Sequence, residues 1–136
     1  MEVFLEKSNS EISADYFRSI LFATSYPGSI EKLNNINPPS NMFSATCLIL
    51  KTFCDSYSNI FLGNEVNNSE TIEWIKFNTG ANITEKRNAD YAIGSWKDLI
   101  PFDDFKIGND QNPDQSCTII CQIKFEKPNA IISGPG

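Results

Sequence analysis

The stretch SETIEWIKFNTGA, residues 69–81, predicts a helix whose two ends are both marked in the sequence. Asn67 or Asn68 is available as the N-cap, and Gly80 can take the left-handed conformation in which many helices end. Two glutamates lie near the N-terminal end, where the helix dipole favours negative charge. We therefore expect a helix from about Ser69 to Thr79.

Short apolar runs on both sides of this helix predict β-strands. Asn59–Leu62 has the length and composition of a buried strand, and residues 90–96 resemble another. Residues 117–126 alternate between apolar and polar side chains, which is the period of a half-buried strand. After a turn at Lys127-Pro128-Asn129, residues 130–132 form a further apolar strand. The second half of the chain is therefore rich in strands.

Two further helices are predicted before the first strand. Residues 13–25 repeat apolar side chains along one helical face, with Ser13 available as the N-cap. Residues 41–55 leave little polar surface on any side, and a helix that is apolar all round is buried all round. We expect this helix to lie between the sheet and either another helix or a neighbouring subunit.

The order of these elements predicts an α/β fold with a mixed β-sheet flanked by helices. Helices come first and strands later, which disfavours a purely parallel, doubly wound sheet. The length of 136 residues suits a single domain, residues 1–136. Gly134-Pro135-Gly136 resembles the opening of a turn that leads onward, so we expect this domain to be incomplete at its C-terminus. Residues 97–115 are expected to form a long acidic loop.

The charge of the chain disfavours two classes of partner. The formal net charge is −6, whereas nucleic acids and anionic lipid surfaces both need a basic footprint. The sequence contains no apolar run near the roughly 20 residues of a membrane span, and its start lacks the pattern of a signal peptide. We expect a cytoplasmic protein that binds neither nucleic acid nor membrane.

The spacing of the four cysteines argues against local disulfides. Cys47 and Cys54 would lie about 10 Å apart along one helix, and Cys117 and Cys121 about 13 Å apart along one strand. Both separations exceed the reach of a disulfide bond. We expect reduced, partly buried thiols.

The residues present exclude several kinds of catalytic site. The chain has no histidine, which removes serine–histidine and cysteine–histidine nucleophile pairs and most zinc sites. No phosphate-binding glycine loop occurs, and the aspartates of the acidic loop match no calcium-binding spacing. No cofactor and no metal is therefore expected, and the catalytic residues are unknown. Arg18 is a candidate for anion recognition, although covering the edge of its helix is the simpler role.

Several motifs, in the same order along the chain, resemble those of the PhnH family, a subunit of the bacterial carbon–phosphorus lyase system. The run Trp74-Ile75-Lys76-Phe77-Asn78-Thr79-Gly80-Ala81 is similar to the family signature W-L/I-R/K-F-H-T-G-A. Further similarities follow at residues 17–28, 48–62, 113–119 and 134–136. The family histidine is Asn78 here, and family members usually continue beyond the Gly-Pro-Gly turn.

The resemblance implies a function in phosphonate catabolism. Together with PhnG-, PhnI- and PhnL-type subunits, such a protein helps to attach a phosphonate to the ribose of ATP, which displaces adenine and gives ribose 1-phosphonate 5-triphosphate. A PhnJ-type subunit of the same system is a further implied partner. The resemblance also implies the fold of the large domain of pyridoxal-phosphate-dependent transferases, without that cofactor. The chain would then be a non-catalytic or co-catalytic subunit, and inactive when isolated.

The candidate contacts with a partner or ligand are Trp74, Asn78, Thr79 and Arg18, although Trp74 also has the spacing of a packing residue. The apolar second helix predicts a homodimer, since symmetric dimers are the commonest soluble assembly. Two alternatives remain open. One is a stand-alone enzyme that binds a phosphonate or nucleotide near Asn78 and Thr79, and the other is a shortened paralogue that acts as a scaffold.

Overall fold

The computed structural model describes residues 9–34 and 36–135. Within them the chain forms a four-stranded sheet with helices against it. The elements, in chain order, are α1 Asn9–Ser25, α2 Ser44–Phe53, β1 Asn59–Leu62, α3 Ser69–Thr79, β2 Asn82–Ile83, β3 Tyr91–Gly94, α4 Trp96–Leu99 and β4 Thr118–Cys121, with single 3-10 turns at Lys86–Asn88 and Pro113–Gln115.

All four strands of this sheet are parallel, in the order β2-β1-β3-β4. The α/β class is confirmed, but the prediction of a mixed sheet is wrong for the described residues. The reason lies in the connections. α3 carries the chain from β1 back to the start of β2, and residues 95–117 do the same between β3 and β4. No tight hairpin turn joins two strands in the described ranges, and parallel pairing requires such crossovers.

Strand β4 is shorter than the alternating pattern predicts. Among the described residues it pairs only with β3, in a register that runs from Tyr91 opposite Thr118 to Gly94 opposite Cys121. Because β3 ends at Gly94, the last backbone hydrogen bond of this pair runs from the Gln122 N–H to the Gly94 carbonyl at 2.8 Å, and the predicted strand 117–126 stops there. Residues 122–135 contain neither helix nor strand, so the predicted strand at 130–132 is also wrong.

Both faces of the sheet carry apolar clusters. Successive strand residues point to opposite sides, so neighbouring residues of β3 belong to different clusters. Ile93 belongs to the larger apolar cluster, which also contains Leu50 of α2 and Ile75 of α3. The neighbouring Ala92 belongs to a second cluster with Leu99 and Phe105, beyond the end of β3. The predicted acidic loop is therefore only partly a loop, since it begins with α4 and supplies core residues.

The composition of α2 predicts burial all round, but the structure buries only one face of this helix. Cys47 and Leu50 are fully buried, whereas Lys51 and Phe53 are exposed. Helix α1 packs on α2, where the rings of Phe17 and Phe53 have centroids 5.8 Å apart. The expectation of a second helix over α2 is thus confirmed, but α1 leaves part of α2 uncovered. No helix among the described residues is long and apolar enough to cross a membrane.

Candidate functional site

Helix α3 has the ends that the sequence predicts. The side chain of Asn68 accepts a hydrogen bond from the backbone N–H of Thr71 at 2.9 Å, which caps the N-terminus. Gly80 has a φ of 75°, in the left-handed region, and its N–H donates to the carbonyl of Lys76. The Thr79 hydroxyl donates to the carbonyl of Ile75 at 2.7 Å and accepts from the next-but-one backbone N–H at 3.0 Å. The structure thus places Thr79 in the C-terminal turn of its own helix.

Asn78 and Trp74 lie on one side of α3, one turn apart. The Asn78 side-chain amide donates to the carbonyl of Trp74 at 2.9 Å, which leaves its own carbonyl oxygen without a partner among the described residues. Trp74 is half-buried and packs against the larger apolar cluster. Phe77, in contrast, is 90% exposed. One face of α3 is therefore anchored in the core, and its neighbouring face is open.

A cleft of about 580 Å³ separates this open face from the loop before α2. We call it the α3 cleft, and its walls are Glu70, Glu73, Trp74, Phe77 and Asn78 on the helix and residues 37–39 on the loop. The loop is held in place by Ser40, whose carbonyl accepts hydrogen bonds from the side chains of Asn68 at 3.4 Å and Thr71 at 3.2 Å. These hydrogen bonds thus connect the loop to α3.

Arg18 lies on a different helix. Its Nη1 pairs with Asp15 Oδ1 at 3.0 Å on α1, where the Arg18 side chain is 72% exposed. The structure brings Trp74 and Asn78 together in one cleft, turns the Thr79 hydroxyl toward the helix end, and leaves Arg18 on a separate surface. A pair such as Arg18–Asp15 on an open helix face contributes little to stability.

The carboxyl edge of the sheet, where α/β proteins often bind ligands, is closed here by a side chain. Gly63 directly follows β1 and Gly94 is the last residue of β3, and a Cβ added at Gly63 would lie 2.8 Å from the Cβ of Asp98. Asp98 Oδ2 also accepts a hydrogen bond from the backbone N–H of Glu65 at 3.0 Å. Asp98 lies in α4, and its backbone N–H donates to the side chain of the N-cap Ser95. Asp98 therefore fills the space between the two strand ends.

A polar cluster that the sequence does not predict lies at the opposite edge of the sheet. Asp90 precedes β3, and its carboxylate accepts hydrogen bonds from the Lys106 ammonium at 2.5 Å and the Asn59 backbone N–H at 2.9 Å. Burial alone would raise the pKa of Asp90, but the Lys106 and Asn59 hydrogen bonds and the positive charge of Lys106 outweigh it and lower that pKa. Because 16 residues separate Asp90 from Lys106, no local motif marks the pair.

The cysteine thiols are free and three of them are weakly acidic. Burial raises the pKa of Cys47 to about 11 and that of Cys117 to about 11. Burial also raises the pKa of Cys54 to about 12, against the opposing effect of a hydrogen bond with Ser58 and with a further increase from two nearby aspartates. These three thiols stay protonated near neutral pH, whereas the thiolate is the nucleophile and metal ligand.

The chain matches a family model over residues 7–136, that of the bacterial phosphonate metabolism protein PhnH. It is also 30% identical over 125 residues to the alpha-D-ribose 1-methylphosphonate 5-triphosphate synthase subunit PhnH of Rhizobium meliloti (strain 1021). That alignment covers 88% of this chain and 62% of the relative, so the chain spans less than two thirds of the relative's length. The motif resemblance and the family model agree along nearly the whole sequence. The chain belongs to the PhnH family of bacterial phosphonate metabolism proteins.

Proposed function

We propose that this protein is a subunit of a multi-subunit enzyme that forms a ribose 1-phosphonate 5-triphosphate from ATP and a phosphonate. The observation that carries the proposal is the family match over residues 7–136, together with the synthase-subunit name of the Rhizobium meliloti relative. The partners would be PhnG-, PhnI-, PhnJ- and PhnL-type subunits in the cytoplasm. The fold would correspond to the large domain of pyridoxal-phosphate-dependent transferases, without the cofactor.

The geometry favours a docking or co-catalytic role over independent chemistry. Asp98 occupies the space between β1 and β3 at the carboxyl edge, where a ligand would otherwise enter a parallel sheet. The buried thiols of Cys47 and Cys54 have raised pKa values, which makes them poor nucleophiles. The α3 cleft, whose lining includes Trp74, Phe77 and Asn78 of the family signature, opens at the surface with an exposed aromatic ring. A partner is the natural complement to such a surface.

We also propose that the protein forms a homodimer through α1 and α2. The two helices leave several large apolar side chains partly exposed, namely Phe17, Leu21, Phe22 and Phe53, although Phe17 and Phe53 also contact each other. An apolar groove of about 580 Å³ continues this surface between the two helices and strand β4. Exposed apolar surface of this kind marks interaction sites. Gel filtration over a range of concentrations tests the dimer, and a monomer at every concentration would contradict it.

Co-expression tests the assembly role directly. The full chain carries an affinity tag and is produced with PhnG-, PhnI-, PhnJ- and PhnL-type subunits, and the expected result is a stable complex that survives gel filtration. Failure of this chain to join partners that assemble with one another would refute the proposal. Calorimetry of the isolated chain with ATP and methylphosphonate is the second measurement. Saturable heat there would favour a stand-alone enzyme, whereas a subunit should give none.

A further inference from the structure

We propose that the α3 cleft is a docking site for an arginine side chain that a partner protein presents. The inference deepens the proposed assembly role and rests on it only for the identity of the partner. The cleft joins two features that a guanidinium recognises, namely an exposed aromatic face and carboxylates without a partner. Within the described part of the chain, no packing contact requires either feature at that place.

The aromatic part of the cleft is Phe77 beside Trp74. The inward face of α3 is already supplied by Thr71 and Ile75, both fully buried, so Phe77 contributes almost nothing to the core. A single exposed apolar side chain is ordinary, but here the ring lines a cleft with an indole and two prolines. A planar cation stacks favourably over such a ring.

The charge of the cleft selects a cation. Glu70 and Glu73 line it, and neither carboxylate has an ion pair or hydrogen bond within the described chain. Lys76, the basic residue of the same helix, is absent from the cleft lining. With a net charge of −6 for the whole chain, an anionic ligand such as a phosphate would be repelled here.

Arginine fits these features better than lysine. Its guanidinium is planar, stacks on aromatic faces and donates in a fork that matches carboxylates, whereas the lysine ammonium is a strongly hydrated point charge. Asn78 adds a neutral acceptor, because its amide nitrogen is engaged with Trp74 and its side-chain oxygen is left over. The cleft therefore offers acceptors on the rim and an aromatic surface in the wall, and no donor cluster for an anion.

The cleft is also preformed, which lowers the entropy lost on binding. The loop wall is fixed to α3 through the two hydrogen bonds that Ser40 accepts from Asn68 and Thr71. Pro38 and Pro39 restrict the loop backbone further. A partner arginine would enter a site whose walls are already in position.

The direct test uses a small probe on the full chain. N-acetyl-argininamide is titrated into ¹⁵N-labelled protein, with the neutral isostere N-acetyl-citrullinamide and the lysine analogue as matched probes. The expected result is a saturable shift of the Trp74 indole N–H and of backbone amides between 70 and 78, stronger for arginine than for lysine and absent for citrulline. Added salt should weaken the shift, because the pairs are near the surface.

Variants separate the two contributions. The double change Glu70→Gln and Glu73→Gln keeps the shape of the cleft and should weaken the arginine affinity by roughly fivefold or more. Phe77→Ala should weaken it by a similar factor, whereas Tyr57→Ala, which removes an exposed ring outside the cleft, should change nothing. Circular dichroism establishes that each variant is folded. Equal shifts for arginine and citrulline, or an unchanged affinity in the glutamine variant, would overturn the inference.

The same variants distinguish this inference from the assembly role. If the multi-subunit complex forms equally well with wild-type and with the Phe77→Ala and glutamine variants, the chain is a subunit but the α3 cleft is not its arginine dock. If the arginine probe binds in the cleft but no complex forms, the docking site stands and the proposed assembly role fails. Loss of both probe binding and complex formation in the variants supports the two together.

Discussion

Replacement of Gly63 by alanine should destabilise the protein through a steric conflict at the carboxyl edge of the sheet. An alanine Cβ would lie 2.8 Å from the Asp98 Cβ and 3.3 Å from the Gly94 Cα. Neither neighbour is the free end of a flexible side chain, so a change of rotamer cannot relieve the contact. Helix α4 or the end of β1 must move, and the hydrogen bond from Glu65 to Asp98 is strained with it.

The size of the effect follows from these contacts. Overpacking by one methyl group costs about 1–3 kcal/mol, and a weakened hydrogen bond to a carboxylate adds up to about 1.5 kcal/mol. The loss of glycine flexibility in the unfolded chain offsets about 0.4–1 kcal/mol of this. We therefore expect the free energy of unfolding to fall by about 2 kcal/mol, which lowers Tm by roughly 8 °C for a domain of this size. Urea and thermal denaturation followed by circular dichroism measure both quantities.

A double-mutant cycle tests the steric cause. Both Asp98→Gly and Asp98→Ala remove the carboxylate. Only Asp98→Gly also removes the conflicting Cβ, whereas Asp98→Ala keeps that Cβ. Gly63→Ala should therefore couple to Asp98→Gly by about 1 kcal/mol or more, and to Asp98→Ala by less than about 0.5 kcal/mol. Equal coupling to both changes, or a Gly63→Ala variant as stable as the wild type, would refute the reasoning.

Three further outcomes are expected. Leu50→Ala should lower the free energy of unfolding in urea by about 2–5 kcal/mol because the side chain is fully buried, and a loss below about 1 kcal/mol would contradict this packing. Because the folded-state pKa of Asp90 is lowered, its contribution to stability is present above the ordinary unfolded-state pKa of 3.8 and disappears as pH falls through the folded-state pKa. In urea unfolding from pH 6 to pH 2, the free energy of unfolding should thus fall more steeply with decreasing pH in the wild type than in Asp90→Asn or Lys106→Gln. Identical pH profiles would exclude the ion pair. Cys47 and Cys54 should react with a thiol reagent at pH 8 far more slowly in the native than in the urea-unfolded protein, and equal rates by peptide mapping would contradict their burial.

Features that depend on neighbouring residues could be predicted from the sequence. The N-cap at Asn68 and the left-handed Gly80 bound α3 where expected, because both act through hydrogen bonds within four residues. The strand Asn59–Leu62 is confirmed for a similar reason, since a short apolar run closed by glycine is a local signal. The capped helix and the buried strand carry most of what the sequence alone establishes about the fold.

Features that depend on distant pairing could not be predicted in the same way. The length of β4 is set by where β3 ends, at Gly94, and no residue within β4 records it. The conflict that makes Gly63 necessary involves Asp98, 35 positions later on a four-residue helix too short to show periodicity. The sequence indicates one wall of the α3 cleft, since Trp74 and Asn78 belong to the signature run, but the second wall at residues 37–39 comes from a loop that only the fold brings near.

The parallel sheet has a consequence for synthesis on the ribosome. β1 lies in the interior of the sheet, yet its two partners are Asn82–Ile83 and Tyr91–Gly94, both made after it. Because no hairpin joins the described strands, no two of them can pair through a short turn as the chain leaves the exit tunnel. The apolar β1 and α2 segments therefore stay without the partner strands of β1 until Gly94 has emerged from the ribosome. During that period they are prone to aggregation, and binding by a holdase chaperone would protect them.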